Sequence, residues 1–409
     1  MRFVGEEENG MYWEPIRLRS DKTRPQDFMV AKNVWDTIED PVTTEMIRGG
    51  YKEKKKREEI QDNRYYVNNE GEDLPELIPI RKFHNYIKSK LIGGVCSSFK
   101  GKPIKFLDLS CGRGGDVLKL MTKENNISFI LGLDISDNIS EACMRFYHTK
   151  ERSDGVFLQA DTSKNIMDGS CSDIEDIDET SKTHTDTMLS ILYNRTNNVP
   201  KEYTGIFKKF KNKAGSGFDV ISSQFSMHYY FETEETFNGF IQNLNDNMSA
   251  GGYFIGTCYD GKRIFDLPND ITEYKDKNSH LVYSIEKKYS LESFDDENVF
   301  GNEIDVYMDS IGQTITEYLV NFEFFTRVMK DNGFELFIPK MDFKYSNIFQ
   351  KRFIDNGMGD VGKVIEDLAI IQKNDPSFKR FYSEGYQVKT NKALGLLSSL
   401  NNYFIFQKK

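Results

Sequence analysis

The stretch Lys105-Phe-Leu-Asp-Leu-Ser-Cys-Gly-Arg-Gly-Gly-Asp116 decides how the rest of this chain is read. The apolar run from Ile104 to Leu109 breaks into a turn of small residues, and Asp116-Val-Leu-Lys-Leu-Met121 then resumes at helical spacing. That pattern predicts a buried strand joined by a tight turn to a helix, with backbone amides pointing outward at the turn. Next, Ile127-Ser-Phe-Ile-Leu-Gly-Leu-Asp134 reads as a second buried strand ending in an acid, the place where a doubly wound sheet holds a ribose by its hydroxyls. A glycine-rich strand-to-helix turn alone also occurs as an ordinary tight connection, so it is the spacing to Asp134 that points to a nucleoside.

The glycine spacing narrows the nucleoside. Dinucleotide folds use G-x-G-x-x-G to bring amides against a pyrophosphate. Here Ser110-Cys-Gly-Arg-Gly-Gly115 is followed by Asp116, an acid where that pyrophosphate would lie. Asp108, the turn glycines and Asp134 suit a cationic ligand better, and S-adenosylmethionine carries a sulfonium, an amino group and an adenosine.

Working outward, Ile80-Arg-Lys-Phe-His-Asn-Tyr-Ile-Lys-Ser-Lys-Leu-Ile92 is amphipathic, with Ile80, Phe83, Ile87 and Leu91 on one face of a helix. His84 and Lys88 lie four apart on an adjacent face, and Lys88 is placed to reach a ligand carboxylate. Downstream, Phe218-Asp-Val-Ile-Ser-Ser-Gln-Phe-Ser-Met-His-Tyr-Tyr-Phe-Glu232 is a buried strand running into an aromatic and polar cluster, which an open α/β sheet places on the ligand side. Contiguity argues against burial of all of Tyr229, Tyr230 and Phe231. A helix over 234–248, a Gly251-Gly252 turn and a strand over 253–257 continue the alternation. Strand-like stretches at 315–320 and 400–407 follow, the second expected to close the sheet.

At 409 residues, 38 % of them hydrophobic, the chain can hold one large α/β domain with an appendage. A formal net charge of −10 excludes a surface coated for nonspecific nucleic-acid binding, so any polyanion needs a local basic patch. Much of that charge lies at 168–190, where Asp173, Glu175, Asp176, Asp178 and Glu179 sit among Ser and Thr, expected to be a solvated, mobile acidic insertion. Five scattered cysteines without a C-x-x-C pair indicate neither a disulfide framework nor a zinc site. With no apolar run of membrane-spanning length and no signal-peptide pattern, a cytoplasmic protein is expected.

The start, Tyr12-Trp-Glu-Pro-Ile-Arg-Leu-Arg-Ser-Asp-Lys-Thr-Arg-Pro25, reads as the end of a domain that begins upstream. It resembles the last motif of nucleotidyltransferase-type mRNA-capping guanylyltransferases, which implies an OB-type remnant over 1–48 with Arg17, Arg19 and Lys22 facing a triphosphate. That chemistry needs a Lys-x-Asp-Gly nucleophile motif, which is not in the sequence, so guanylyl transfer is not expected of this chain. Residues 28–46 read as a short helical continuation. Residues 49–75, with the charged run 52–59, read as a linker to a domain spanning 76–409.

Taken in chain order, the glycine turn, Gln224-Phe-x-x-His-Tyr229, Glu317-Tyr-Leu-Val320 and Tyr403 resemble an mRNA cap guanine-N7 methyltransferase. With the N-terminal motif, the likeness is to the C-terminal part of the multifunctional capping enzymes of poxvirus-, asfarvirus- and mimivirus-like DNA viruses. The resemblance implies a Rossmann-like class I S-adenosylmethionine-dependent methyltransferase, with a mostly parallel seven-stranded sheet and helices on both faces. It assigns the methyl donor, and the product S-adenosylhomocysteine, to Lys88, Asp108, Ser110, Gly112, Asp134, Asp161, Gln224 and Tyr229. It assigns the cap guanosine to His84, Asn85, His228, Tyr229, Glu317 and Tyr403, and the cap triphosphate to Arg113, Lys119 and Arg145. Catalysis falls to Glu317, His228 and Tyr229, without a metal. The partners implied are the capped 5′ end of mRNA, triphosphatase and guanylyltransferase domains of the same enzyme and a stimulatory subunit, in the host cytoplasm or virion, with no membrane. Ser110 stands where the family usually has Gly, a substitution costing roughly 1 kcal/mol if that position needs a positive φ. His84 stands where it usually has Asn. Two other readings fit the turn and Asp134: an S-adenosylmethionine enzyme for a small metabolite, and a noncatalytic module that binds capped RNA or a partner.

Overall fold

A computed structural model describes residues 2–7, 10–14, 77–149, 153–175, 177–337, 359–374 and 382–409. The chain divides into two compact units, Met1–Asp62 and Asn63–Lys409. In the first, β1 (Arg2–Glu7) and β2 (Gly10–Glu14) pair antiparallel, Phe3 opposite Trp13. Arg17, Arg19, Lys22, the helix expected over 28–46 and the linker 49–75 lie outside the described residues.

The second unit opens with α1 (Ile78–Ser97), in which Ile80, Phe83, Ile87 and Leu91 are all buried. β3 (Ile104–Asp108), α2 (Val117–Leu120), β4 (Ile127–Asp134), α3 (Ile139–Tyr147), β5 (Asp154–Gln159), α4 (Glu179–Leu192), α5 (Thr204–Phe210), β6 (Phe218–Gln224), α6 (Glu234–Asn247) and β7 (Met248–Tyr259) follow. After α7 (Gly261–Phe265) comes a separate antiparallel sheet of β8 (Ile271–Lys275), β9 (Leu281–Lys287), β10 (Glu303–Met308) and β11 (Gln313–Tyr318). α8 (Phe322–Asp331) and β12 (Phe334–Leu336) return to the main sheet. Beyond it lie β13 (Gly359–Asp360), the helices α9 (Val361–Glu366), α10 (Leu368–Asn374), α11 (Tyr382–Thr390) and α12 (Lys392–Ser399), and β14 (Asn401–Lys408). Among the described residues no helix is long and apolar enough to cross a membrane.

The main sheet runs β12-β14-β7-β6-β3-β4-β5, with β13 paired to β14 off that path. β5, β4, β3, β6 and β7 are mutually parallel, while β14 runs antiparallel to β7 and β12 to β14. The chain leaves β3 for β4 and β5 on one side and returns to β6 on the other, so the strand order reverses between β3 and β6. A crevice opens at the carboxyl ends of strands at such a point. β3, β4 and β6 are buried nearly throughout, as parallel strands covered on both faces must be. Successive residues alternate between the layers: Phe106 joins the core shared with α1 and the C-terminal helices, and Leu107 joins the core on the other face. That second core is rich in Phe, with Phe325 and Phe406 ring centroids 5.4 Å apart.

Two expectations change, and the strand expected at 315–320 gains a location. β14 does not close the sheet: it is buried along most of its length and sits between β7 and β12, too apolar on both faces to serve as an edge. The stretch at 315–320 is not in the main sheet but supplies β11 of the small one. The acidic segment is not simply a solvated insertion. Asp178 caps α4 by accepting from Ser181 N, and Thr185, Met188, Leu189, Ile191 and Leu192 of that helix are buried. Asp178 and Glu179 mark the cap and first turn of an amphipathic helix, while Asp173 and Glu175 ahead of it are exposed, a pattern that composition averages away.

Candidate active site

The carboxyl ends of four parallel strands bring the expected nucleoside residues to one edge of the sheet. Asp108 is the last residue of β3, Asp134 of β4 and Gln224 of β6, while Asp161 lies two residues beyond β5. Gly112, at φ 48°, turns its N–H onto Asp134 Oδ2 at 2.6 Å. Ser136 donates to Asp134 Oδ1 through its N–H at 2.9 Å and its hydroxyl at 2.5 Å. Burial nonetheless raises the Asp134 carboxyl above its ordinary range. Gly114 is required for packing: at φ 75°, a Cβ there would lie 2.7 Å from Ala142 Cα of α3.

Asp108 is buried and takes a long bond from Ser110 N at 3.3 Å. Burial, reinforced by Asp116, lifts its carboxyl to about 8. Asp116 goes the other way: burial alone would raise it, but Lys88 at 2.8 Å and Lys119 at 2.7 Å outweigh that and hold it at about 2. The acid expected to repel a pyrophosphate is thus an ion hub between two lysines, and Lys88 is engaged there before any ligand carboxylate arrives. Asp161 accepts from Ser163 N at 3.0 Å and Ser163 Oγ at 2.6 Å. Gln224 is fixed at both ends, accepting from Thr257 Oγ1 at 2.9 Å and donating to Ser222 Oγ at 3.0 Å.

Beyond β6 the chain enters a tight 3-10 turn, Met227–Phe231, whose exit is pinned where Thr233 caps α6. This turn buries Tyr230 and Phe231 and leaves Tyr229 half-exposed, as the contiguity of the three predicts. His228 is 3 % exposed and Glu317, from β11, 5 %. His228 Nε2 lies 3.6 Å from Glu317 Oε1, and both His228 Nε2 and Glu317 Oε2 are buried without a hydrogen-bond partner among the described residues. Burial drives them toward neutrality, His228 down to about 3 and Glu317 up to about 8. Orphaned buried polar atoms cost about 1 to 3 kcal/mol each, which makes the pair a candidate place for a ligand to supply partners.

The expected basic residues are internally paired. Arg113 donates through Nε to Glu141 Oε1 at 2.9 Å and Oε2 at 2.8 Å, and Arg145 stands 3.9 Å from the same acid. With Lys88 and Lys119 on Asp116, four cations share two acids around the turn, and Asp108 and Asp134 lie beside them. His84 is drawn elsewhere: Nε2 meets Ser398 Oγ of α12 at 2.8 Å, its ring stacks on Phe225 at 5.2 Å, and burial, with Lys88 nearby, lowers it to about 3. Asn85, its neighbour on α1, is half-buried. Tyr403 lies opposite Thr257, which in turn lies opposite Gln224, but its ring is wholly buried and fills the space a Cβ on Gly359 would need. It therefore sits at the same end of the sheet as Gln224, packed against Gly359.

Sequence reasoning missed three contributors. Phe225 adopts the left-handed conformation at φ 57°, rare for an aromatic residue, and lies beneath both His84 and the Lys88 ammonium, 5.6 Å from its ring. Ser226, inside the Gln-Phe-x-x-His motif, hydrogen-bonds the Ser110 hydroxyl and Ser223 Oγ. Ser110 itself is not at positive φ, so replacing the family's usual Gly carries no backbone penalty and adds a tie between the two crevice strands. Cys258, on β7, has its Sγ 3.8 Å from His228 Nδ1.

The strand order, the single antiparallel insertion and the carboxylates at the crevice define a Rossmann-like class I methyltransferase. The model of the mRNA (guanine-N(7))-methyltransferase domain family matches residues 51–382, and this chain belongs to that family. The C-terminal domain of mRNA capping enzymes matches residues 3–48. A probable mRNA-capping enzyme of Acanthamoeba polyphaga mimivirus is 26 % identical over 97 % of this chain and 34 % of its own length. An mRNA cap guanine-N(7) methyltransferase of Cryptococcus neoformans is 26 % identical over 69 % of this chain and 34 % of its own length. One of Eremothecium gossypii is 24 % identical over 79 % of this chain. The chain spans about a third of the length of the first two and 64 % of the third.

Proposed function

We propose that this chain transfers a methyl group from S-adenosylmethionine to N7 of the 5′ guanosine cap of mRNA. The observation that carries the reading is the buried His228 and Glu317 pair, with two orphaned polar atoms, at the carboxyl end of β6 beside the donor residues. A guanine edge offers an acceptor at O6 and donors at N1 and N2, which is the complement such a pair lacks.

The donor supplies an electrophilic methyl on a sulfonium, and the residues around the turn fit it. Asp134 and the Gly112 amide suit the ribose, Gln224 and Asp161 border the same edge, and Asp108 gives an acid for a cation. A carboxyl held neutral near 8 ionises readily when a positive group arrives. Guanine N7 has a lone pair and no proton, so attack needs no general base. Holding N7 and the methyl carbon in line at roughly 3 to 3.5 Å is the main task, and several kcal/mol of barrier can come from it. As the purine becomes cationic, the growing positive charge on its N1 and N2 edge favours ionisation of Glu317, and the carboxylate so formed stabilises it. His228 stays neutral near 3, so it adds no opposing positive charge. Tyr229, with its ring 4.2 Å from that of His228, is placed to pack on the base. The cations Arg113, Lys119 and Arg145 serve the triphosphate by exchanging their acid partners for it.

Residues 1–48 are read as the end of a guanylyltransferase-type OB module, joined by the linker 49–75 to the methyltransferase domain at 76–409, in a larger viral-type capping enzyme. The match at 3–48 and the mimivirus relative support that architecture. On it the partners are triphosphatase and guanylyltransferase domains, capped RNA and a stimulatory subunit, in the host cytoplasm or virion. The deciding assay is release of S-adenosylhomocysteine with unmethylated GpppA or GpppG, and methyl recovery on guanine N7. Turnover with a small metabolite and none with capped substrates would overturn the reading.

A further inference from the structure

We propose that Cys258 is a positioning residue that sets the ring tautomer of His228, so that Nε2 carries the proton and presents it to the base in the crevice. The proposal rests on the guanine reading of that crevice and adds a determinant of its specificity. Nothing in the sequence pattern marks Cys258, a strand cysteine with no partner cysteine.

The geometry supplies the argument. Cys258 is wholly buried on β7, with Sγ 3.8 Å from His228 Nδ1, within hydrogen-bond reach for sulfur. Burial, with the Glu317 carboxyl nearby, pushes its thiol well above the ordinary range, so it remains S–H. A thiol is a weak acceptor, whereas the bare nitrogen of a neutral imidazole is a good one. The favourable arrangement therefore has S–H donating to Nδ1, which leaves the ring proton on Nε2. That nitrogen is the orphaned atom facing Glu317 Oε1 across 3.6 Å. Glu317, once ionised, can only accept. The two side chains then read opposite halves of one edge: Nε2–H meets the O6 acceptor of guanine, and the carboxylate meets its N1–H and N2–H. Adenine puts an amino group where O6 would be, so the fixed Nε2–H opposes an adenosine cap. With the proton on Nδ1, a lone pair would face O6 and guanine would lose that contact.

The test uses the full chain labelled with nitrogen-15 in its histidine rings, of which there are five, with His228 assigned by its loss in His228→Asn. Long-range proton–nitrogen correlation is expected to show a single Nε2–H form in the wild type. Cys258→Ala should show a mixture of both tautomers, and Cys258→Ser, whose hydroxyl can donate to Nδ1, should restore the single form. Turnover of GpppG per KM should fall about tenfold in Cys258→Ala, the loss expected for one hydrogen bond to the base, and recover in Cys258→Ser. Unchanged affinity for S-adenosylhomocysteine shows that the variants are folded. An Nδ1–H wild type, or an unmixed Nε2–H signal in Cys258→Ala, overturns the proposal. A tautomer held by Cys258 with cap turnover unaltered in Cys258→Ala supports the thiol's role and overturns the guanine reading instead.

Discussion

Replacing Glu317 with Gln should make this protein more stable and nearly inactive. Glu317 is 5 % exposed and faces a neutral His228, and burial lifts its carboxyl from an ordinary 4.5 to about 8. The folded state therefore holds one more proton than the unfolded chain between those values. Stability from this residue is complete below pH 4.5 and is lost as pH rises through 8. At about 1.4 kcal/mol per pH unit, the interval from 4.5 to about 8 amounts to about 5 kcal/mol, a ceiling that water entry and side-chain relaxation reduce. Gln keeps the shape and cannot ionise. Urea unfolding should show the two proteins within about 1 kcal/mol at pH 5, with Glu317→Gln ahead by about 2 to 5 kcal/mol at pH 8.5. Methyl transfer to GpppG should fall about 100- to 1000-fold, as when a preorganised electrostatic partner is removed, with S-adenosylhomocysteine affinity unchanged. An equal stability difference at both pH values would refute the buried-carboxyl argument, and full turnover in Glu317→Gln would remove the charge from catalysis.

Asp134→Ala should lower S-adenosylhomocysteine affinity about 10- to 100-fold in calorimetric titration, since it removes a charged acceptor for the ribose; undiminished binding would refute that role. Asp116→Asn should cost about 2 to 4 kcal/mol at pH 7, because it leaves the ammonium groups of Lys88 and Lys119, 13 % and 12 % exposed, repelling one another without their shared acid. Asp116 is depressed to about 2, so its contribution is present above pH 3.8 and lost as pH falls toward 2; urea unfolding at pH 7 and pH 2.5 should show the gap close, and a gap unchanged in acid would count against the hub. His84→Asn should cost about 1 to 2 kcal/mol in stability through its lost Ser398 bond and Phe225 stack while leaving turnover within about threefold. A hundredfold loss of turnover in a stable variant would return His84 to the cap.

By itself the sequence was enough for much that depends on near neighbours in the chain, though not for the Asp178-capped helix over 179–192. The run from Ile104 to Asp116 carried its strand, turn and helix, because apolar period and glycine placement are local, and Asp134 announced itself as the acid closing the next strand. The order of motifs was enough for the family. What only the tertiary structure decided concerns residues far apart in the chain. Glu317 meets His228 because β11 belongs to a separate sheet folded over the crevice, and Cys258 meets the other ring nitrogen because β7 lies beside β6. Asp116 becomes an ion hub only when α1 brings Lys88 across. Charge in particular is unreadable from the chain, since burial and a partner's distance set whether a carboxyl such as Asp116 sits at about 2 or one such as Asp108 at about 8, and both arise only on folding.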